Sequence, residues 1–319
     1  MKAESRRGKF STVIDLAAIP PHPVTRFAPS PTGRLHLGHV ANAVWTWGLA
    51  ARVGARVILR VEDHDRGRCR PEFEAAILED LDWLGLEPDS ISRRSFDGGP
   101  STFRQSDNDA RYREALVRLR TATAVYACRC SRKVIAEAGG PVPAGEERRY
   151  PGTCRGAGHP ESAGAGIRAQ LPDDEIRLDD LRLGPIRQTP AQQGGDLLLR
   201  DATGNWTYQF AVVVDDMIQG VNLIIRGEDL LSSTGRQILL GRLLGRTEPA
   251  RFLHHPLIMS ETGAKLSKRD GAPGLDELRQ QGHQPAAVLG MAAHATGLIA
   301  IPEPITPNEL GDRFAALVR

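Results

Sequence analysis

The chain has no run of 18 apolar residues, so nothing in it reads as a membrane-spanning helix. It has only four cysteines in 319 residues, Cys69, Cys128, Cys130 and Cys154, too few for the disulfide lattice of a secreted scaffold. It has almost no net charge: 41 lysines and arginines face 39 aspartates and glutamates, a balance of +2. No global basic field advertises nucleic acid, and any RNA has to be met by a local basic surface. The first 23 residues begin basic but lack the sustained apolar core of a signal peptide. Internal repeats and low-complexity tracts are missing too. These absences leave a reduced, cytoplasmic globular protein as the expectation, and a composition of 40% apolar and 25% charged residues agrees with it. A chain of this length buries a core without covalent staples.

What is present is a strand–turn–helix–strand pattern that occurs twice. Val24–Ala28 reads as a short strand ended by Pro29 and Pro31. The segment HLGHVANAVWTWGLAARVG then places Val40, Val44, Trp47 and Ala51 at helical spacing. ARVILRVED follows as a buried strand, with Val57, Ile58, Leu59 and Val61 in a near-continuous apolar run. Pro71 opens another helix, which runs through Ile77, Leu81 and Leu84 to Gly85. Strand, glycine turn, helix and strand in this order form a βαβ unit, which demands a parallel sheet covered by helices. A helical pattern over 107–120, a cysteine-bearing segment 125–154 and a Gly/Pro/Ala-rich loop 139–166 interrupt it, with antiparallel strands expected at 167–171 and 197–200. The βαβ pattern resumes with YQFAVVVDD, GVNLIIRGED and SSTGRQILLGRLLG, and RFLHHPLIM leads into a loop carrying KLSKR. The expected organisation is therefore α/β with a split parallel sheet. It comprises a flexible extension 1–23, a first half 24–100, an inserted subdomain 101–190, a second half 191–275 and a short helical region 276–319.

Two motifs carry the chemistry. Pro-Ser-Pro-Thr-Gly-Arg-Leu-His-Leu-Gly-His (29–39) joins a strand end, a glycine turn and a helix N-terminus, where unpaired N–H groups and a partial positive charge suit phosphate. Gly38 lets a nucleotide base approach the backbone, and His36 and His39 lie on one side of the first helical turn. Lys265-Leu266-Ser267-Lys268-Arg269 sets two lysines three residues apart between Gly263 and Gly271, both able to reach a polyphosphate.

In order and spacing these motifs resemble the HIGH and KMSKS signatures of the class I aminoacyl-tRNA synthetases, present here as HLGH and KLSKR. TRFAPSPTG, ILRVEDHDR, YQFAVVVDD and IRGEDLLSSTGRQILL are similar to glutamyl-tRNA synthetases over roughly residues 24–275. Ser30, where the glutaminyl enzymes typically carry a glutamate, favours glutamate. The resemblance implies a Rossmann-like catalytic domain, an inserted subdomain of the acceptor-binding type and activation of L-glutamate by ATP accompanied by Mg²⁺. Elementary chemistry agrees: a substrate with two carboxylates and one ammonium wants two cations and one anion. Arg26 and Arg226 can fork onto carboxylates, Glu62 can hold the ammonium, and Tyr208 and Ser30 can add neutral hydrogen bonds, with Phe27, Ala28 and Pro29 completing the wall. Which arginine takes which carboxylate is left open. His36, Gly38, His39 and Lys268 are the expected ATP contacts, with Lys265 and Lys268 neutralising pyrophosphate. His39, Arg34 and Trp206 depart from residues common in the family, and none of the three removes a charge that this chemistry needs.

Cys128-x-Cys130 followed by Tyr150-x-x-x-Cys154 offers three thiolates and a fourth donor, a set that fits a tetrahedral zinc site. Spacing alone leaves reduced structural cysteines as an equal reading, with His159 as the other candidate fourth ligand. The pattern is similar to the zinc site of the short glutamyl-queuosine branch of the family, which implies one structural Zn²⁺ held by Cys128, Cys130, Tyr150 and Cys154. Cys69 is left as a plain thiol. Only 50 residues follow Arg269, where full glutamyl-tRNA synthetases continue into a helical anticodon-binding domain. The short branch implies transfer of glutamate to queuosine in the anticodon of tRNA(Asp), whose cyclopentene diol resembles a terminal ribose diol. A monomer is expected. The competing readings are a truncated enzyme charging tRNA(Glu) and a non-catalytic RNA-binding or amino-acid-sensing paralogue.

Overall fold

The computed structural model describes residues 13–139, 148–259 and 273–319. Strand β1 (Val24–Phe27) runs parallel to β2 (Arg56–Leu59), with Val24 opposite Arg56 and Phe27 opposite Leu59, and helix α1 (Leu37–Val53) is the crossover. α1 stops where Gly54 takes a φ of +66°, a left-handed cap that glycine adopts without steric cost. The expected stripe of Val40, Val44, Trp47 and Ala51 needs correction. Val40 and Val44 are buried, but so are Trp45 and Leu49, while Trp47 is half-buried and Ala51 exposed. The reason is position: α1 packs on the sheet and also under the C-terminal helices, so two of its faces are apolar. α2 (Pro71–Leu84) begins with Pro71 in its first turn and ends at Gly85, φ +69°, and a short α3 (Ser90–Arg94) follows.

The inserted part opens with α4 (Asp109–Ala122), β3 (Val125–Cys128) and α5 (Arg132–Gly139). Its antiparallel sheet has β4 (Gly166–Ala169) in the middle, paired with β3 on one side. A hairpin of β5 (Ile176–Asp180) and β6 (Gly184–Gln188), then α6 (Pro190–Gln193), precede β7 (Leu197–Arg200), which pairs with the other side of β4. β7 comes from beyond residue 190, because β4 would otherwise present an unpaired inner edge.

The second half is α7 (Tyr208–Ile218), β8 (Leu223–Gly227), α8 (Thr234–Leu243) and β9 (Arg251–His255), with β8 parallel to β9. YQFAVVVDD is thus a helix. Its continuous run Phe210–Asp216 is buried because α7 packs against α4, α8 and β7. β1 lies beside β8, where the Asn222 N–H donates to Val24 O at 3.1 Å and the Val24 N–H to Asn222 Oδ1 at 2.8 Å. The two parallel pairs therefore present their carboxyl ends together, the usual location of ligands in α/β sheets.

α9 (Leu275–Gln280), α10 (Pro285–Ala295) and α11 (Leu310–Arg313) close the fold, with Leu289, Leu310 and Phe314 fully buried. Gly48 of α1 permits this: a Cβ there would lie 2.2 Å from Phe314 Cε2. Residues 13–23, expected within a loose extension, are held by the same layer. Ile14 is 2% exposed and bridges to Val318, so the two ends of the described chain cover one apolar surface. No described helix is long and apolar enough to cross a membrane.

Candidate active site and cysteine centre

A cleft of about 520 Å³ opens at the carboxyl ends of β1 and β8. Arg26, Phe27, Ala28, Pro29, Ser30, His36, Gly38, His39, Glu62, Tyr208 and Arg226 all line it. Lys265 and Lys268 lie outside the described residues. Their C-terminal flank is placed, however: Gly274 bridges to His36, and the Leu275 N–H donates to Leu35 O at 3.0 Å.

The two histidines form the N-terminal cap of α1. His36 Nδ1 accepts from the Gly38 N–H at 3.0 Å, and His39 Nδ1 accepts from the His36 N–H at 3.1 Å. With both Nδ1 atoms accepting, each neutral ring carries its proton on Nε2. A Cβ on Gly38 would lie 2.9 Å from His36 Cε1, so the glycine makes room for the capping imidazole itself.

Below them lies a buried charge array. Arg26 is 5% exposed; its Nε donates to Asp216 Oδ1 at 3.3 Å and its Nη1 to Ile225 O at 3.3 Å. Arg60 is fully buried and bridges two carboxylates, with Nη1 to Asp216 Oδ1 at 2.7 Å and Nη2 to Glu62 Oε1 at 3.0 Å. Burial by itself would raise the Asp216 carboxyl, but Arg60 and Arg26 outweigh it and hold the group below its ordinary range. Arg26 and Arg60 thus share Asp216 as counter-ion, while Glu62 adds a further negative charge at the cleft wall.

Arg226 differs. Its Nη1 donates to Gln237 Oε1 at 2.6 Å, its Nη2 to Thr234 Oγ1 at 2.7 Å, and its Nε to His254 Nε2 at 3.1 Å. No carboxylate among the described residues lies within ion-pair distance of it. The cleft therefore holds a cation held only by neutral groups, ready for an anionic ligand. Tyr208 is half-buried beside it, and burial pushes its phenol up.

Sequence reasoning overlooked Arg60, Asp216 and the cleft-lining Asn42 and His255. Arg60 had a signal: an arginine inside the apolar run Val57–Val61 is buried and so needs a carboxylate. His255 Nδ1 faces Pro256 O at 2.9 Å, and its Nε2 lies 3.1 Å from Asn42 Nδ2. Burial drives this imidazole down to about 4, so it is neutral near pH 7.

A second cluster lies where β3 runs into α5. Cys128, Cys130 and Cys154 have their sulfurs within 4.8 Å of one another. Cys130 Sγ is 3.5 Å from Cys154 Sγ, and the Tyr150 hydroxyl is 3.4 Å from Cys128 Sγ and 3.9 Å from Cys130 Sγ. A tetrahedral zinc with the usual bond lengths requires S···S near about 3.8 Å and O···S near about 3.5 Å. The donor set fits that geometry. His159 does not join the group among the described residues. Burial tends to raise the Cys154 thiol, but the Arg129 backbone N–H and its sulfur and phenol neighbours bring it to about 6, whereas burial and Cys154 push Cys130 up to about 11. Burial and the Cys128 thiol raise the Tyr150 phenol, while the Cys154 N–H, donated to its oxygen at 2.9 Å, pulls the other way; the Arg168 guanidinium lies 3.7 Å over its ring. Cys69 stands apart, pushed up to about 11 by burial and neighbouring aspartates, as an inert thiol should be.

Comparison with known proteins places this arrangement. The family model described as tRNA synthetases class I (E and Q), catalytic domain, matches residues 23–297. A protein of Symbiobacterium thermophilum named Glutamyl-Q tRNA(Asp) synthetase is 44% identical over 294 residues, covering 89% of this chain and 90% of its own length. One of the same name from Deinococcus radiodurans is 42% identical, over 89% of this chain and 94% of its own length. Among solved structures, a glutamate tRNA ligase from Elizabethkingia meningosepticum in complex with its amino acid superposes with a TM-score of 0.74 at 29% identity. That match covers 91% of this chain, which spans 64% of the length of the ligase.

Proposed function

Given that this chain belongs to the class I tRNA synthetase (E and Q) catalytic-domain family, we propose that it activates L-glutamate with ATP and transfers the glutamyl group to queuosine in tRNA(Asp). The observation that carries the first step is the charge pattern of the cleft. Arg26 and Arg226 supply two positive charges and Glu62 one negative charge in a single cavity, beside a helix N-terminus capped by two histidines. Glutamate is their electrostatic complement. Its α-carboxylate is already a nucleophile, so the reaction needs no protein base. Catalysis rests on alignment and on stabilising charge at the α-phosphate and the leaving pyrophosphate. His36 and His39 present Nε2–H donors to the phosphates, and Lys265 and Lys268 neutralise pyrophosphate. Mg²⁺ bound with ATP would spread the charge of its phosphates.

The second step is supported by the relatives named Glutamyl-Q tRNA(Asp) synthetase, nearly all of whose length this chain spans, and by the Cys128–Cys130–Tyr150–Cys154 set. Cys128, Cys130, Tyr150 and Cys154 would hold a structural Zn²⁺ there, which would tie the turn between β3 and α5 to the segment carrying Tyr150 and Cys154.

The test is a two-stage assay. Glutamate-dependent ATP–pyrophosphate exchange without RNA is expected, followed by transfer of labelled glutamate to queuosine-containing tRNA(Asp) but not to a queuosine-free control. Labelling of tRNA(Glu) instead would replace the acceptor; absence of exchange would remove the activation step as written.

A further inference from the structure

We infer that Asp180 and His254 are positioning residues for this reaction, locking the Arg226 guanidinium toward the cleft. The inference rests on the reading that Arg226 binds a carboxylate of glutamate. His254 and Asp180 have fully buried side chains, and His254 Nδ1 lies 2.7 Å from Asp180 Oδ2. The other ring nitrogen, Nε2, is 3.1 Å from Arg226 Nε.

Donor and acceptor roles are forced at both ends of this chain of contacts. A carboxylate only accepts, so Nδ1 carries the imidazole proton. A guanidinium only donates, so Nε2 must offer its lone pair to Arg226. Burial lowers the affinity of His254 for a second proton, which keeps the ring neutral and the lone pair available. Asp180 is itself held: its Oδ1 accepts from the Arg182 N–H at 3.1 Å and from the Leu183 N–H at 2.9 Å. It sits at the end of β5, so the inserted hairpin supplies the outermost member of the relay.

Arg226 is 3% exposed, and burial weakens its hold on the proton, so a partner that adds no competing negative charge suits a guanidinium kept for a ligand. A carboxylate in direct contact would neutralise it and compete with substrate. One imidazole interposed fixes the angle of the guanidinium while leaving its charge to the cleft. The device resembles the outer partners that orient metal-bound histidines, with a guanidinium in place of the metal.

The experiment uses the full chain and three variants, Asp180→Asn, His254→Leu and His254→Gln, in glutamate-dependent ATP–pyrophosphate exchange. Asp180→Asn turns an NH₂ group toward Nδ1 and forces the proton to Nε2, where it opposes Arg226. This variant and His254→Leu are expected to raise the KM for glutamate about tenfold or more, with the KM for ATP unchanged within about twofold. His254→Gln, whose Oε1 can replace Nε2 as acceptor, is expected to recover most of the loss. A folded Asp180→Asn protein with wild-type KM for glutamate and only a lowered melting temperature would overturn the proposal. If the variants do not fold, ¹⁵N NMR of the histidine-labelled wild type decides. A neutral His254 protonated on Nδ1 supports the relay, and protonation on Nε2 or an imidazolium at pH 7 overturns it. A wild type without glutamate-dependent exchange would refute the proposed reaction instead, while the NMR result still rules on the relay.

Discussion

Arg60 directs both Nε and Nη2 at a single carboxylate oxygen of Glu62, Oε1, at 3.3 and 3.0 Å. The second oxygen of Glu62 accepts no hydrogen bond from any described residue, and Glu62 lines the cleft. One carboxylate is thus divided between an internal fork and the ligand space. Glu62→Gln keeps the shape and removes the charge offered to a substrate ammonium. A lost charged hydrogen bond of about 1.5–3 kcal/mol corresponds to a rise in the KM for glutamate of roughly 10- to 10²-fold. Steady-state exchange kinetics, with ATP as the control substrate, measure it; equal effects on both substrates would detach Glu62 from the ammonium.

Arg60→Met probes the other half of that relationship. Arg60 joins Glu62 to Asp216 across the sheet, and its removal leaves buried negative charge without its main partner. Breaking a buried pair in this way costs about 3–5 kcal/mol of stability. Urea unfolding at pH 7 should register the loss as a lower midpoint at an unchanged slope. A cost below about 1 kcal/mol would mean that Glu62 and Asp216 find other partners once Arg60 is gone.

These pairs show where reading the sequence reaches its limit. Pro71 and Gly85 bound a helix because φ restriction and the left-handed cap are local properties, and both stand where the sequence puts them. HLGH is legible for the same reason, since its capping contacts join residues two and three positions apart. Asp216 is a counter-ion of Arg26 and Arg60 only through tertiary pairing, 190 and 156 residues away. No local pattern announces that. The burial of Trp45 and Leu49 was hidden because a helix covered on two sides has no single apolar stripe to read.

His255 sets a pH dependence whose sign can be worked out. Its folded value near 4 lies below the ordinary 6.5, chiefly through burial. The unfolded chain therefore takes up a proton that the folded chain refuses. This contribution is complete above about pH 6.5 and is lost as the pH falls toward 4, by on the order of 3 kcal/mol. Unfolding free energies measured at intervals between pH 4 and 7 should fall more steeply for wild type than for His255→Gln. Parallel curves would show that the imidazole titrates normally in the fold.

Zinc content tests the cysteine centre without reference to activity. Protein purified without chelator is expected to carry one zinc per chain by elemental analysis, and Cys154→Ser to carry none. Tyr150→Phe removes one donor of four and should release its metal to a competing chelator at concentrations that leave wild type loaded. Since metal affinity is folding energy for such a site, stripping the zinc should lower the melting temperature. Retention of full zinc affinity by Tyr150→Phe would shift the fourth ligand elsewhere.

Lys268 makes the sharpest claim about chemistry. It lies outside the described residues; the described chain resumes at residue 273, and Gly274 bridges to His36. In the proposed reaction this lysine has little to do for substrate at rest and much to do when negative charge gathers on the departing pyrophosphate. Interactions made mainly in the transition state lower kcat and kcat/KM together when they are removed. Lys268→Ala should accordingly reduce the exchange rate by about 10²–10³, equivalent to roughly 3–4 kcal/mol, with the KM for glutamate little changed. If that variant instead raises the KM for ATP at constant kcat, the lysine binds the ground state and the stabilising charge must come from Lys265 or the histidines.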